Sequence, residues 1–255
     1  MIWNPEAIAF NIFGLSIAWY GLSWSLAILI GYFIFLYIFK RESKDLNKLV
    51  PFIQYVFVGT MIGARFFEMI YYQFDFFIQD PLLFFRFRQG GLSSHGAMIG
   101  TIIAIYIFVK RNKEFTFFWL LDRSVIVVLT QGAIVRLGNF FNSELYGKIT
   151  DVPWAVNFIQ IDSYYRHPVQ IYEFLWLMTC FIAFFVMYLK HTKNKDSFFT
   201  ALFLIIVLGG RVVLEFFKEA DIYFLFFSKT QLISLVYILF GIYLLSRPDN
   251  RNVKN

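Results

Sequence analysis

The segment "LSIAWYGLSWSLAILIGYFIFLYIF", residues 15–39, contains no charged side chain. A helix crosses the roughly 30 Å hydrocarbon core of a bilayer with about 20 apolar residues, so this segment is long enough to span a membrane. It is also too long for the apolar core of a cleaved signal peptide, and no basic residue precedes it. We therefore expect a retained membrane-spanning helix.

The composition of the whole chain favours the same environment. Of 255 residues, 59% are hydrophobic and 16% are charged, which is more apolar surface than one soluble core of this length usually hides. We expect an all-α, polytopic membrane protein that forms a single integral membrane domain over residues 1–255. Seven predicted spans satisfy the length requirement, at about 15–39, 50–72, 93–109, 115–136, 168–189, 197–217 and 230–246.

Lysine and arginine residues are concentrated in the connections on one side of these spans. The positive-inside rule then places the N-terminus outside the cell membrane and the C-terminus in the cytoplasm. The same connections account for the net charge of +6, so the charge gives no reason to expect a nucleic-acid partner. The two longer extracytoplasmic connections, about 73–92 and 137–167, are polar enough to leave the hydrocarbon and are candidates for handling substrate.

Ionisable side chains within a span cost roughly 2.5–3.5 kcal/mol each on insertion scales, so each needs a partner or a function. Asp122 and Arg123 lie toward the inner half of their span, but nearly all the others lie on the outward side. Arginines from several spans at one depth predict an anionic ligand, because the guanidinium fork binds phosphate in a bidentate manner. At that depth the commonest phosphate belongs to a lipid headgroup. The residues concerned are Arg65, Glu68, His95, Arg136, Glu173, Arg211 and Glu215.

A structural interpretation of these residues remains open. Arg65 with Glu68 and Arg211 with Glu215 have the spacing of local ion pairs on one helix face. His95 is followed by Gly96 and Gly100, whose spacing is typical of a close helix–helix contact in membranes. The imidazole is therefore either a hydrogen-bonded packing residue or a proton acceptor near neutral pH.

Six stretches, spread over most of the chain, carry a family resemblance. Through them the chain resembles the prolipoprotein diacylglyceryl transferases of bacterial inner membranes, and the fourth is the most specific. They are "WYGL" (19–22), "GAR" (63–65), "GGLSSHGAMIG" (90–100), "RLGNFFNSELYG" (136–147), "RHPVQIYE" (166–173) and "GGRVVLEFFKEAD" (209–221).

The resemblance implies a multi-pass protein of the bacterial cytoplasmic (inner) membrane with seven spans. It implies transfer of the diacylglyceryl group from phosphatidylglycerol to the sulfhydryl of the lipobox cysteine of a preprolipoprotein, the first step of lipoprotein maturation. A thioether forms and glycerol phosphate is released. By motif match, the implied functional positions are Tyr20, His95, Arg136, Asn139, Glu144, Gly147, Arg211 and Glu215. We add Arg65 to the predicted substrate-binding residues because of its depth in the second span.

The implied chemistry suits these residue types. We expect Arg136 and Arg211 to hold the headgroup phosphate and to stabilise it as it leaves. His95 would accept or relay the proton of the thiol, which must become a thiolate to attack carbon. Tyr20, Asn139 and Glu144 would orient the lipid or the peptide, although Asn139 is also a candidate for a helix-end cap. We expect neither a metal nor another cofactor, because the sequence has no nucleotide-binding or metal-binding motif.

Departures from the family pattern and rival functions complete the sequence interpretation. Val135, Val207 and Lys218 stand where the family usually has glycine, tyrosine and arginine, and lysine keeps the charge but loses the fork. One rival is a lipid or solute transporter with an anionic-headgroup site on the outward side, which would favour repeated halves and a midplane site. The sequence shows neither. The other is an intramembrane serine protease using Ser93 or Ser94, which lacks a G-x-S-G motif.

Overall fold

A computed structural model describes residues 1–86, 91–190, 195–219 and 222–247. The chain is mostly helical, which confirms the predicted class of helical polytopic membrane protein. Gly90 and Asp221, at the ends of two quoted motifs, lie outside the described residues. The helices are α1 (Trp19–Arg41), α2 (Leu49–Phe67), α3 (Phe74–Gln79), α4 (Ser94–Arg111), α5 (Phe117–Phe141), α6 (Val169–Lys190), α7 (Phe198–Leu202), α8 (Leu208–Glu215) and α9 (Lys229–Ser246).

Short strands, which the hydropathy pattern did not predict, accompany these helices. A three-stranded sheet has the order β1-β4-β5, with β1 parallel to β4 and β5 antiparallel to it. The other strands form two hairpins, β2–β3 and β6–β7, which directly precede α1 and α9. The strands are β1 (Ile2–Trp3), β2 (Ile8–Ile12), β3 (Leu15–Ala18), β4 (Val156–Phe158), β5 (Tyr165–Arg166), β6 (Ile222–Phe224) and β7 (Phe227–Ser228).

Six helical segments of the described chain are long and apolar enough to cross a membrane, and they match six of the seven predicted spans. The remaining prediction, 93–109, corresponds to α4, which starts with Ser94 and His95 and ends with two basic residues and is not among the six. Seven crossings and their direction therefore stay predictions. The six segments are Trp19–Arg41, Leu46–Tyr71, Phe117–Phe141, Val169–Lys190, Phe198–Glu215 and Lys229–Ser246.

Two predicted boundaries were wrong for identifiable reasons. Residues 15–18 form strand β3 rather than the start of a helix, because they pair with β2. Helix α5 continues beyond residue 136 to Phe141, so Asn139 is helical and does not lie in a loop. The backbone leaves the helical conformation at Ser143, whose φ is 55°. One turn of the predicted connection 137–167 is thus part of α5.

The described residues form two compact units, 1–34 with 122–255 and 35–121, and the division falls within α1 and α5. The single membrane domain stays a prediction. In the first unit, the three-stranded sheet β1-β4-β5 packs on the C-terminal end of α5. Phe140 of α5 is buried with Val156 and Phe158 of β4, and Trp3 of β1 donates a hydrogen bond from its indole Nε1 to the carbonyl oxygen of Phe140 (3.1 Å). The sheet therefore holds the end of the helix that carries the R-x-G-N motif.

In the second unit, α2 and α4 approach each other backbone to backbone. A Cβ added to Gly63 would lie 2.7 Å from the Cα of Gly100, and one added to Gly96 would collide with the carbonyl oxygen of Gly63. Real Cβ atoms do not sit that close, so only glycine permits the contact. The hydroxyls of Thr60 and Thr101 join the helices by a hydrogen bond. The predicted packing role of Gly96 and Gly100 is confirmed.

Candidate functional site

Four charged side chains of the first unit form a row of alternating sign, which we call the ion-pair chain (Arg136, Glu173, Lys218 and Glu215). Arg136 Nε lies 2.9 Å from Glu173 Oε2, and Lys218 Nζ donates to Glu173 Oε1 at 2.7 Å. Lys218 Nζ also lies 3.5 Å from Glu215 Oε2. The two glutamate side chains are only 8% and 7% exposed. A buried carboxylate requires a cation, and Lys218 serves both.

A second set of contacts leads from the same arginine to the end of α5. Arg136 Nη1 donates to Asn139 Oδ1 (3.2 Å), and Asn139 Nδ2 donates to Glu144 Oε2 (3.2 Å). The spacing of three residues puts Arg136 and Asn139 on one helix face. Asn139 is buried, and its amide group joins a guanidinium to a carboxylate instead of capping the helix backbone. Arg136 is therefore oriented from two sides.

The turn after α5 returns Glu144 to the helix end. Ser143 and Leu145 both have positive φ, 55° and 56°, and the Glu144 backbone N–H donates to the Asn139 carbonyl oxygen (2.9 Å). Gln170, fully buried on α6, donates from Nε2 to the Glu144 carbonyl oxygen (2.6 Å). The sequence analysis did not select Gln170, although it lies within the quoted RHPVQIYE stretch. This turn and α6 together fix the carboxylate that holds Asn139.

Gly147 lies where segments from three motifs meet. Its backbone N–H donates to the His167 carbonyl oxygen (2.9 Å), and the next residue, Lys148, donates to the Phe217 carbonyl oxygen (2.8 Å). A Cβ added to Gly147 would lie 2.6 Å from Phe217 O and 2.7 Å from His167 Cβ. Any larger residue would separate the chain after α8 from the chain before α6. Gly147 thus acts through packing that brings the motif segments together.

Arg166, which the sequence analysis did not select, clamps the same region. Its Nη2 lies 2.6 Å from Asp162 Oδ2, its Nη1 lies 2.6 Å from Glu219 Oε1, and Nη1 also donates to the Gly147 carbonyl oxygen (3.2 Å). The hydrogen bond from Arg166 lowers the pKa of Asp162, and the same bond raises the pKa of Arg166. Burial lowers the pKa of the neighbouring His167. This group is a second charge cluster that stabilises the loop around Gly147.

Arg211 differs from Arg136 in having no such partners. It is exposed on α8 and makes no hydrogen bond or ion pair with any residue in the described ranges. The local alternative, a pair with Glu215, does not form, since Glu215 pairs with Lys218 and accepts a hydrogen bond from Ser228 Oγ (3.3 Å). The Arg211 guanidinium is therefore available to an anionic ligand.

Tyr20, the second residue of α1, lies beside the R-x-G-N motif. A Cβ added to Gly138 would lie 3.4 Å from Tyr20 Cδ2 and 2.7 Å from Ser23 Oγ. The preceding residue, Trp19, stacks on Phe141 with ring centroids 4.8 Å apart. The start of α1 therefore packs on the same end of α5 that carries Arg136 and Asn139.

In the second unit, Arg65 is fully buried and donates to main-chain carbonyl groups of the connection before α4. Its Nη1 donates to the Gly91 oxygen (2.9 Å) and its Nε donates to the Phe84 oxygen (3.1 Å). Glu68 accepts a hydrogen bond from Gln73 Nε2 (3.1 Å). These contacts favour a role for Arg65 in holding this connection, and its predicted role in binding substrate stays a prediction.

His95 is the second residue of α4 and is exposed. Ser93 is buried and caps the helix, because its Oγ accepts a hydrogen bond from the Gly96 backbone N–H (3.5 Å). The imidazole lies 6.4 Å from the Phe67 ring, centroid to centroid, and forms no hydrogen bond with another described residue. Within the described residues, no hydrogen-bonding partner therefore competes with a bound molecule for the imidazole.

The cationic side chains of the first unit suit an anionic ligand. Within the described ranges, no three His, Cys, Asp or Glu side chains are grouped so that they could hold a metal. What the first unit offers is one guanidinium oriented by a carboxylate and an amide (Arg136) and one exposed guanidinium (Arg211). A guanidinium group of either kind can bind a phosphate and stabilise negative charge that develops on it.

Comparison with known proteins places the sequence in a family. A family model described as prolipoprotein diacylglyceryl transferase matches residues 7–247, a range that contains all six quoted motifs. The phosphatidylglycerol–prolipoprotein diacylglyceryl transferase of Tolumonas auensis is 34% identical, over 96% of each chain. The enzyme of the same name from Chloroherpeton thalassium is 32% identical, over 96% of this chain and 93% of its own. That of Rickettsia bellii is 33% identical, over 98% of each chain.

Proposed function

Since the chain belongs to the prolipoprotein diacylglyceryl transferase family, we propose that it transfers the diacylglyceryl group of phosphatidylglycerol to the lipobox cysteine of preprolipoproteins. It is a transferase of lipoprotein biosynthesis and a multi-pass membrane protein. We place it in the bacterial cytoplasmic membrane, where both substrates meet. The observation that carries the assignment of the site is the contrast between Arg136, oriented by Glu173 and Asn139, and Arg211, which is open to a ligand.

The reaction requires stabilisation of a departing phosphate. The thiolate sulfur attacks the glyceryl carbon that carries the phosphate ester, so an S–C bond forms while the C–O bond breaks. The electron pair of the broken bond leaves with glycerol phosphate, which gains one negative charge. The charge develops on the phosphate oxygen of the broken C–O bond. Guanidinium groups directed at this oxygen lower the barrier, because they are already in place when the charge develops. Arg136 and Arg211 are the residues we assign to this role.

The attacking thiol must also lose its proton. A free cysteine thiol has a pKa of about 8.5, so only a small fraction is thiolate near neutral pH. An imidazole is the side chain best suited to accept a proton in this pH range. We assign this step to His95, which is exposed and free of hydrogen bonds to other described residues.

The remaining motif residues act through Arg136 and through the shape of the site. Asn139 and Glu144 orient Arg136, and Glu215 holds the lysine that supports Glu173. Tyr20 lies beside this end of α5, and we assign it to orienting the lipid or the peptide. Gly147 permits the close approach of the three motif segments described above.

The test is incubation of the purified protein with phosphatidylglycerol and a synthetic lipobox peptide, followed by mass spectrometry of the peptide. A diacylglyceryl mass increment together with release of glycerol phosphate is the expected result. The control peptide carries serine in place of the lipobox cysteine and should stay unmodified. An unmodified cysteine peptide would overturn the proposal, and lipid movement across vesicles without peptide modification would favour the transporter alternative.

A further inference from the structure

The half of the β2–β3 hairpin nearest its tip has one apolar and one polar face. The register pairs Phe10 with Ile17, Asn11 with Ser16, and Ile12 with Leu15. Successive side chains of a strand point to opposite faces. Near the tip, one face of the hairpin therefore consists of Phe10, Ile12, Leu15 and Ile17, and the opposite face has Asn11 and Ser16. The register shifts between Phe10 and Ile8, and the last pair, Ile8 with Ala18, is apolar.

Most of the apolar face is left uncovered by the rest of the described chain, and only Ile17, next to α1, is partly buried. Leu15 is 70% exposed and Ile12 is 45% exposed, while Phe13 at the tip is completely exposed. Phe13 and Gly14 form the two-residue turn, with φ of 49° and 79°. No charged residue occurs from position 7 to position 18. An isolated two-stranded hairpin is marginally stable at best in water, so its apolar face needs an apolar surface to cover it.

The position of the hairpin in the chain indicates which apolar surface could cover this face. Strand β3 runs without a linker into α1, a candidate membrane span, and the Trp19 N–H donates to the Ala7 carbonyl oxygen (3.1 Å). At about 3.3 Å per residue, the tip lies within about 20 Å of the start of α1. Trp19, Tyr20 and Trp24 give that end of the helix the aromatic residues typical of a membrane–water interface. The hairpin is therefore continuous with the end of a candidate span that carries aromatic residues of the interfacial type.

The second hairpin of the same unit repeats this arrangement. Strand β7 ends at Ser228, which is also the N-cap residue of α9, another candidate span. The tip of this hairpin exposes Phe224, Leu225 and Phe226, of which Leu225 is 72% exposed. Two candidate spans, α1 and α9, are therefore each preceded, with no intervening linker, by a hairpin with an exposed apolar tip.

We propose that the β2–β3 hairpin lies in the membrane–water interface, with Phe10, Ile12, Leu15 and Ile17 against the lipid acyl chains and with Asn11 and Ser16 toward water. Membrane-surface segments bind in proportion to the apolar area they bury, and a polar opposite face keeps them from inserting fully. The lipid surface is favoured over a second copy of the chain because the hairpin is continuous with a helix that itself crosses lipid. This contact is separate from the ion-pair chain and does not depend on the transferase reaction.

Neighbouring positions on the two faces provide the test. Cys180→Ala removes the single cysteine of the sequence, after which Leu15→Cys and Ser16→Cys are each labelled with the fluorophore NBD. The labelled proteins are placed in vesicles of phosphatidylcholine and phosphatidylglycerol. We expect blue-shifted emission and strong quenching by spin-labelled lipid at position 15. Quenching by aqueous iodide should be about threefold weaker at position 15 than at position 16.

Equal iodide quenching at both positions would overturn the proposal. So would shielding of position 15 from both quenchers, which would indicate that protein covers the apolar face.

A second measurement uses the unmodified protein in case the Cys180→Ala background does not fold. Vesicles containing a phospholipid with a diazirine on its acyl chain are irradiated, and peptide mass mapping should find adducts within residues 10–17. Adducts on α1 with none on the hairpin would refute the interfacial position of the hairpin. Neither measurement uses catalytic activity. Failure of the hairpin proposal is therefore distinguishable from failure of the proposed function.

Discussion

Glu173 Oε2 lies 2.9 Å from Arg136 Nε, and this contact orients the guanidinium that we assign to the phosphate. The other oxygen of the same carboxylate accepts from Lys218. In the proposed reaction Glu173 would therefore act through Arg136, as a positioning residue. Two helices, α5 and α6, each contribute one member of this pair.

We expect Glu173→Gln to lower kcat by on the order of 10²-fold, because a displacement of about 1 Å of a charged group at the reaction centre has effects of this size. The KM for the lipobox peptide should change little. Steady-state kinetics with both substrates measure this, and Glu219→Gln is the matched control, since Glu219 is half-exposed and pairs with Arg166 instead. Equal losses in the two variants would show that Glu173 has no special role.

Lys218 should tolerate arginine but not a neutral side chain. It is the cation next to two buried carboxylates, and breaking a buried pair by removing one partner costs about 3–5 kcal/mol. Lys218→Met should lower the thermal unfolding temperature and the activity, while Lys218→Arg should keep most of both. The exposed Lys148, replaced by Met, serves as the control. A Lys218→Met protein as stable as the parent would contradict the ion-pair chain.

Arg211→Ala should separate activity from stability. Because Arg211 forms no ion pair or hydrogen bond within the described ranges, its removal should leave the unfolding temperature unchanged. Loss of a transition-state charge contact should lower kcat on the order of 10²- to 10³-fold. Arg211→Lys should recover part of the rate, since it restores the charge without the fork. A fully active alanine variant would remove Arg211 from the site.

His95→Ala should change the pH dependence of the reaction as well as its rate. Without a proton acceptor, turnover depends on the thiolate already present, so the rate of the variant should keep rising with pH toward the thiol pKa of about 8.5. General-base catalysis contributes about 10²- to 10⁴-fold, which sets the expected loss near neutral pH. Single-turnover rates between pH 6 and 9 provide the measurement. An unchanged profile would assign His95 to packing.

The Asp162–Arg166 pair should contribute stability that disappears in acid. The pKa of Asp162 is lowered in the folded protein, chiefly by the hydrogen bond from Arg166. Such a carboxyl group adds stability above its unfolded pKa of about 3.9, and the contribution is lost as the pH falls through the lower, folded value. Asp162→Asn should therefore lower the unfolding temperature at pH 7, and its difference from the parent should shrink below about pH 4. A difference that persists in strong acid would show that the charge is not responsible.

The features that hydropathy and local spacing could predict are those that depend on neighbours in sequence. The apolar runs locate the helices because the bilayer imposes a minimum length. Gly96 and Gly100 could be assigned to packing because a four-residue repeat of small residues brings two backbones together. Arg136, Asn139 and Glu144 could be grouped because they lie within nine residues of one motif.

Contacts between distant segments could not be predicted in the same way. The spacing of Arg211 and Glu215 favours a local pair, but Glu215 contacts Lys218 because a buried carboxylate binds the cation that is buried with it. Lys218 and Glu173 are 45 residues apart, and only the packed fold brings them together. Strands of two or three residues, such as β1 and β5, are too short to produce a visible alternation.

Two positive and two negative side chains leave the ion-pair chain electrically neutral. The field of such an alternating row falls steeply with distance, whereas that of a single exposed guanidinium extends over about a Debye length. A lipid headgroup approaching along the membrane should therefore sense Arg211 first and Arg136 only at contact. Capture and alignment of the phosphate would thus operate over two different ranges, the first sensitive to ionic strength and the second largely insensitive to it.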